Sequence, residues 1–226
     1  IVTESVADKY IQNVLVFSDK QKESISSTGI IKNKDIYNTF VNSSSGKYVI
    51  DHKENSMCWI SSHKEVDDLL GYNGDDYALS LVREVLDSYN KPTGYIIIDV
   101  KKSFIQEILD NAAVGNKSIK GFITSDGREV ISGKDNFSFA DKNFYKKILN
   151  EKKGGYKYVT YKGESYLFLY DKTESGNGIV CAMVPKNEII AKANDIKVYT
   201  IVTIIACCII AVIVGSVLAY GISKAI

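Results

Sequence analysis

Hydrophobic and polar positions change rhythm along the chain, and the changes come twice in the same order. IQNVLVFSDKQKESISSTG (Ile11 to Gly29) opens as an apolar strand, breaks at Ser-Asp, and closes through a polar turn on a second strand. IKGFITSDGREVISG (Ile119 to Gly133) repeats that order, and both stretches predict β-hairpins. After each comes a short helical piece with an aromatic, DIYNTFV and FADKNFYKKILN. A glycine-to-strand signature follows in both, GKYVI (Gly46 to Ile50) and GYKYV (Gly155 to Val159). Two more strands complete each half: Tyr77-Ala-Leu-Ser-Leu-Val with GYIIIDV (Gly94 to Val100), and Tyr166-Leu-Phe-Leu-Tyr with GIVCAMVP (Gly178 to Pro185). Both last strands run into helical apolar spacing, KKSFIQEIL (Lys101 to Leu109) and KNEIIAKA (Lys186 to Ala193).

The duplication predicts an α+β protein of two tandem modules, residues 1–110 and 111–197. The connections are too short for the helical crossovers of parallel neighbours, so the sheets are antiparallel, each burying one face under a helix and leaving the other free to cup something small. The rhythm then stops. Val198 to Ser223 holds no charged residue, and about 20 apolar residues cross a hydrocarbon core of roughly 30 Å. One transmembrane helix is expected over residues 198–222, with residues 223–226 starting a linker beyond it. Tyr199 and Tyr220 fall near the two interfaces, while Gly215, Ser216 and Ala219 offer a small-residue surface for helix contact. The chain opens on Ile1 rather than Met, which predicts a signal peptide or an earlier transmembrane helix ahead of it.

Composition narrows the function classes. With 28 Lys+Arg against 27 Asp+Glu, and only Arg83 and Arg128 as arginines, the chain lacks the paired guanidinium patches of a nucleic-acid binder. Cys207 and Cys208 are adjacent inside the apolar run, and Cys58 and Cys181 sit in apolar settings as buried thiols. His52 and His63 are the only histidines, and no HExxH or CxxC accompanies them, so neither a metal site nor a cofactor is expected. No GxSxG elbow or Walker loop marks an enzyme. GYNGDD (Gly71 to Asp76) lacks the spacing of a calcium loop and reads as solvated.

The order of YALSLVREVLD (Tyr77 to Asp87), GYIIIDVKKSFIQEIL (Gly94 to Leu109), GFITSDGREVISG, GESYLFLYDK (Gly163 to Lys172) and VPKNEII (Val184 to Ile190) before an apolar span resembles the double Cache domain. That is the tandem PAS-like extracytoplasmic sensor of bacterial methyl-accepting chemotaxis proteins. The resemblance implies a cell-membrane receptor whose modules lie outside the cytoplasm, a homodimer, and a cytoplasmic signalling domain beyond the C-terminus. It also implies a small-molecule ligand in the first module, between the sheet and the helices over it. A sensor histidine kinase or a cyclic-dinucleotide enzyme can wear the same outer domain, and a membrane-anchored hydrolase or a structural surface protein is the more distant alternative.

In the amino-acid-binding subgroup an Arg-x-Trp-Tyr stretch, a Tyr-x-Asp and an Asp of the last strand hold the ligand. Here KDIY (Lys34 to Tyr37) stands at the first, His63-Lys64-Glu65 near the second, and Asp99 at the third. Candidate ligand contacts are Tyr37, Trp59, His63, Tyr77, Arg83 and Asp99. Each has a structural alternative. Asp99 could cap the helix after it, and Trp59, Tyr37 and Tyr77 could be core. His63 could lie on the surface, and Arg83 could be held in an ion pair.

Overall fold

The computed structural model describes residues 9–20, 23–32, 34–52, 57–115, 117–133, 136–151, 153–174 and 178–223, without the side chains of 192–195 and 212–223. Among these residues the first sheet comprises β1 (Ile11–Ser18), β2 (Glu23–Ser26), β3 (Gly29–Lys32), β4 (Met57–Ile60), β5 (Tyr77–Leu86) and β6 (Pro92–Lys101), in the order β3-β2-β1-β6-β5-β4. The second comprises β7 (Ile119–Thr124), β8 (Glu129–Ser132), β9 (Gly155–Tyr161), β10 (Glu164–Lys172) and β11 (Gly178–Pro185), in the order β8-β7-β11-β10-β9. Every pairing is antiparallel. The protein is α+β, with two antiparallel sheets and one apolar C-terminal helix.

Alternation decides which face each strand buries. On β1, Asn13, Leu15 and Phe17 turn inward, opposite Asp99, Ile97 and Tyr95 of β6. On β5, Ser80 and Val82 do the same against Asp99 and Ile97. Helices α1 (Ile36–Asn42), α2 (Ser44–His52) and α3 (Lys64–Leu70) bring Ile36, Phe40, Val49 and Val66 onto that face. Each fully buried aliphatic or aromatic side chain there contributes about 1.5–3 kcal/mol. The second sheet packs Phe168, Met183 and Ile123 against Phe139 and, from α5 (Asn143–Ile148), Tyr145 and Ile148.

The stretch Gly46–Ile50 corrects the expected strand. It is helical, within α2, and Gly46 is there for contact rather than for a turn. A Cβ on Gly46 would lie 1.9 Å from the carbonyl oxygen of Phe40, so its absence lets α2 pack back onto the end of α1. The two halves of the chain therefore differ at this point, helix in the first and strand β9 in the second.

Helix α4 (Lys102–Asn111) follows β6 and lies between the two sheets. Its Leu109 and Ile105 pack with Ala78 and Leu79 of β5 and with Phe122 and Val130 of β7 and β8. The last helix, α6 (Lys186–Ser223), begins at the residue after the end of β11. Lys186–Ala211 is long and apolar enough to cross a membrane and is not buried, and Val198, Ile201, Val202, Ile204 and Ile205 are exposed along it. Helix thus starts at Lys186, well ahead of the first residue expected to span. The side chains of Gly215, Ser216, Ala219 and Tyr220, and residues 224–226, lie outside the described residues.

Candidate functional site

Two β-bulges sit side by side at one end of the first sheet. One adds Gln12 to β1, between the pairs Ile11 with Val100 and Asn13 with Asp99. The other adds Ala78 to β5, between Tyr77 with Lys101 and Leu79 with Val100. A bulge breaks the in-out alternation and re-aims the next side chain. Here Gln12 and Asn13 both line one cavity, and Tyr77 swings onto the helix-covered face beside Asp99.

Helix α3 supplies the opposite wall. Its N-cap is His63, which uses no side-chain capping bond, and it ends on Gly71 at φ 74°, a left-handed conformation that favours glycine. His63 and Asp67 stand one helical turn apart and so share a face. That face is buried: His63 is 0% and Asp67 3% exposed. His63 Nε2 lies 2.8 Å from Asp99 Oδ1, and Nδ1 lies 3.1 Å from Asp67 Oδ1, off the line of a hydrogen bond. Tyr77 donates its hydroxyl to Asp67 Oδ2 at 2.6 Å and accepts the His63 backbone N–H at 3.2 Å. Ser80 donates to Asp99 Oδ1 at 2.6 Å.

Both imidazole nitrogens face carboxylates, which favours the doubly protonated ring. Burial acts to lower the His63 pKa, and the adjoining carboxylates of Asp67 and Asp99 outweigh it, lifting the value to about 10. Tyr77 is pushed well above its ordinary value by burial and then by the Asp67 carboxylate. Its ring stacks on the His63 imidazole, centroids 5.0 Å apart at 9°, and the Arg128 guanidinium covers the ring 4.9 Å from its centroid.

A cavity of about 310 Å³ opens between this cluster and the β2–β3 turn. Its lining includes Asn13, Ser27, Asp67, Tyr72, Asp76 and Asp99. Asn13 is 8% exposed; its Oδ1 accepts from Ser27 Oγ, while its Nδ2 meets no acceptor among the described residues. Thr28 and Tyr72 hydroxyls close the rim at 3.3 Å.

Arg128 comes from the second sheet, on the turn between β7 and β8. Nη1 donates to the carbonyls of Gly74 at 2.6 Å and Tyr77 at 3.1 Å, and Nη2 donates to those of Ser61 and Ala78. Ser125 of the same turn bonds Ser61 at 2.6 Å between hydroxyls. Asp126 holds the guanidinium at 3.1 Å from its Nε.

Of the six residues singled out in the sequence, the structure gathers Asp99, His63 and Tyr77 into this cluster. Asp99 does not cap α4, whose cap position is Lys101. His63 is a core residue, against the surface alternative. Tyr37 lies elsewhere, half-buried on α1, its ring 6.1 Å from that of Tyr95. Trp59 and Arg83 are on the other face of the sheet, beside Leu81 and Met57 respectively. Lys34 donates its ammonium to the Leu69 carbonyl at the end of α3. Sequence reasoning missed Asn13, Asp67, Ser80 and Tyr72. The His-x-x-x-Asp spacing of residues 63 and 67 was the one legible signal, one turn of a helix too short to stand out by period.

No protein-family model matches the chain, and no curated protein matches it in sequence. Solved structures do share its fold. The extracellular domain of mmHK1S-Z2, assigned as a histidine kinase, superposes with TM-score 0.59 at 12% identity over 84% of this chain and 81% of that one. The corresponding domain of mmHK1S-Z3 gives 0.57 at 13% over 86% and 80%. The periplasmic sensory domain of the Campylobacter jejuni chemoreceptor Tlp1 gives 0.54 at 15% over 84% and 77%. The structural neighbours are thus extracellular and periplasmic sensor domains of histidine kinases and chemoreceptors, and at these identities the likeness is one of fold.

Proposed function

We propose that this chain is the extracytoplasmic ligand-sensing region of a transmembrane chemoreceptor, two tandem Cache modules over residues 1–110 and 111–197 followed by the membrane helix that carries the signal inward. The observation that supports it best is the cavity beside Asp67, Tyr77 and Asp99. It is of small-solute size, walled by buried charges, and set in a fold that sensor domains share. Ligand occupancy shifts the population between two arrangements of the modules, and α6 conveys the difference. The receptor works as a homodimer with its C-terminus in the cytoplasm. A histidine-kinase sensor is the second reading, favoured by the likeness to mmHK1S-Z2 and mmHK1S-Z3.

The test is a thermal-shift screen of the whole chain in lipid nanodiscs against amino acids, organic acids, amines, purines and sugars. A solute at 100 times its Kd adds about 2.7 kcal/mol. At least one hit is expected, and its shift should vanish in Asp99→Asn. Silence from a well-folded sample, or a hit indifferent to every cavity substitution, overturns the reading.

A further inference from the structure

Resting on that sensing reading, we propose that the cavity takes a small organic cation: an ammonium or amidinium group with a hydroxyl or carbonyl oxygen nearby and no carboxylate of its own. Three observations carry this. The lining holds the carboxylates of Asp67, Asp76 and Asp99, and neither Lys nor Arg is among the lining residues. Behind the wall the His63 imidazolium stands between Asp67 and Asp99, so one positive charge faces two negative ones, and Asp76 at the rim adds to the excess. Buried charge left unpaired is strongly unfavourable, and a cationic occupant restores the balance. Among the described residues no three His, Cys, Asp or Glu side chains converge on a metal position, which points the cation towards an organic group.

The second requirement comes from Asn13. Its buried Nδ2 has no acceptor among the described residues while its Oδ1 is already taken by Ser27. A buried amide donor left unmade is unfavourable, so an oxygen of the occupant belongs at that wall. The third is an exclusion. A ligand carboxylate entering this cavity would meet three carboxylates and no cation in the lining, and Lys34 is committed to the Leu69 carbonyl. Free amino acids and organic acids are therefore the wrong charge type.

A matched set of probes tests the class on the whole chain in nanodiscs: L-alaninamide, L-alanine, propionamide and propionate, with calcium chloride alongside. The measurement is made at about pH 6.5, where the α-amino group is protonated. L-Alaninamide should bind at least tenfold more tightly than L-alanine, with propionamide, propionate and calcium giving no shift. Asp67→Asn should weaken L-alaninamide at least tenfold. Should that variant not fold, Asn13→Ala keeps the charges and removes the donor: it should weaken L-alaninamide about fivefold and leave ethylamine, which has no oxygen, unchanged. L-Alanine or propionate binding as tightly as L-alaninamide, or no binding of L-alaninamide, overturns the cation class. An anionic or neutral hit from the broad screen that Asn13→Ala abolishes would overturn the class and leave sensing standing. Silence in both experiments removes both.

Discussion

His63 holds two buried carboxylates, Asp67 and Asp99, at 3.1 and 2.8 Å, so its removal leaves like charges facing one another without the cation between them. Taking away one partner of a buried ionic cluster costs about 3–5 kcal/mol, and His63→Gln should lower stability by that order in chemical unfolding. The pH dependence has a definite sign. The folded pKa, about 10, stands above the ordinary 6.5, so the stabilisation is complete below about pH 6.5. It then fades as pH rises towards 10, because the unfolded chain releases a proton that the folded one keeps. Wild type should lose stability across that window and His63→Gln should not share the slope. An identical slope in the two proteins would contradict a protonated His63.

Among the elements, the α1–α2 corner depends on a missing side chain. Gly46→Ala places a methyl group where the Phe40 carbonyl already sits, which forces the helices apart at a cost of about 1–3 kcal/mol, readable as a lower Tm. This corner also marks where sequence reasoning reached its limit. Alternation made β1, β5 and β10 legible, since a half-buried strand states its own period, while β6, β7 and β11 showed themselves as short apolar runs bounded by turns. GKYVI carries β-branched and aromatic residues behind a glycine and so resembles GYKYV, yet tertiary contact with α1 decides that one is helix and the other strand. The candidate site was legible to the same extent. Asp99 shows itself at the end of an apolar strand, whereas Tyr77 reaches the cavity through a bulge, and a bulge is a property of pairing between distant strands.

On the scale of the molecule, one arginine fastens the second sheet to the wall of the candidate site. Arg128 satisfies four carbonyls of residues 61–78 and covers the Tyr77 ring. Hydrogen bonds to a charged donor contribute about 1.5–3 kcal/mol each, so Arg128→Gln should open residues 61–78 to hydrogen exchange while the β9–β10 pairing stays protected. Uniform exchange across both regions would mean that the contact is global packing instead. Downstream, β11 passes into α6 with no residue between Pro185 and Lys186. Its registry is fixed on both flanks, and Cys181 and Met183 point into the core. Slipping the strand by one position would move α6 by about 3.3 Å but would turn those side chains away from the core they fill and bring Ala182 and Val184 into their place. Sliding is thereby disfavoured, and on the proposed sensing role the tilt of the sheet is what would reach the helix. The junction then behaves as a crank without slack: one alanine inserted after Pro185 should rotate the far end of α6 by about 100°, and cross-linking along the helix would read the new angle directly.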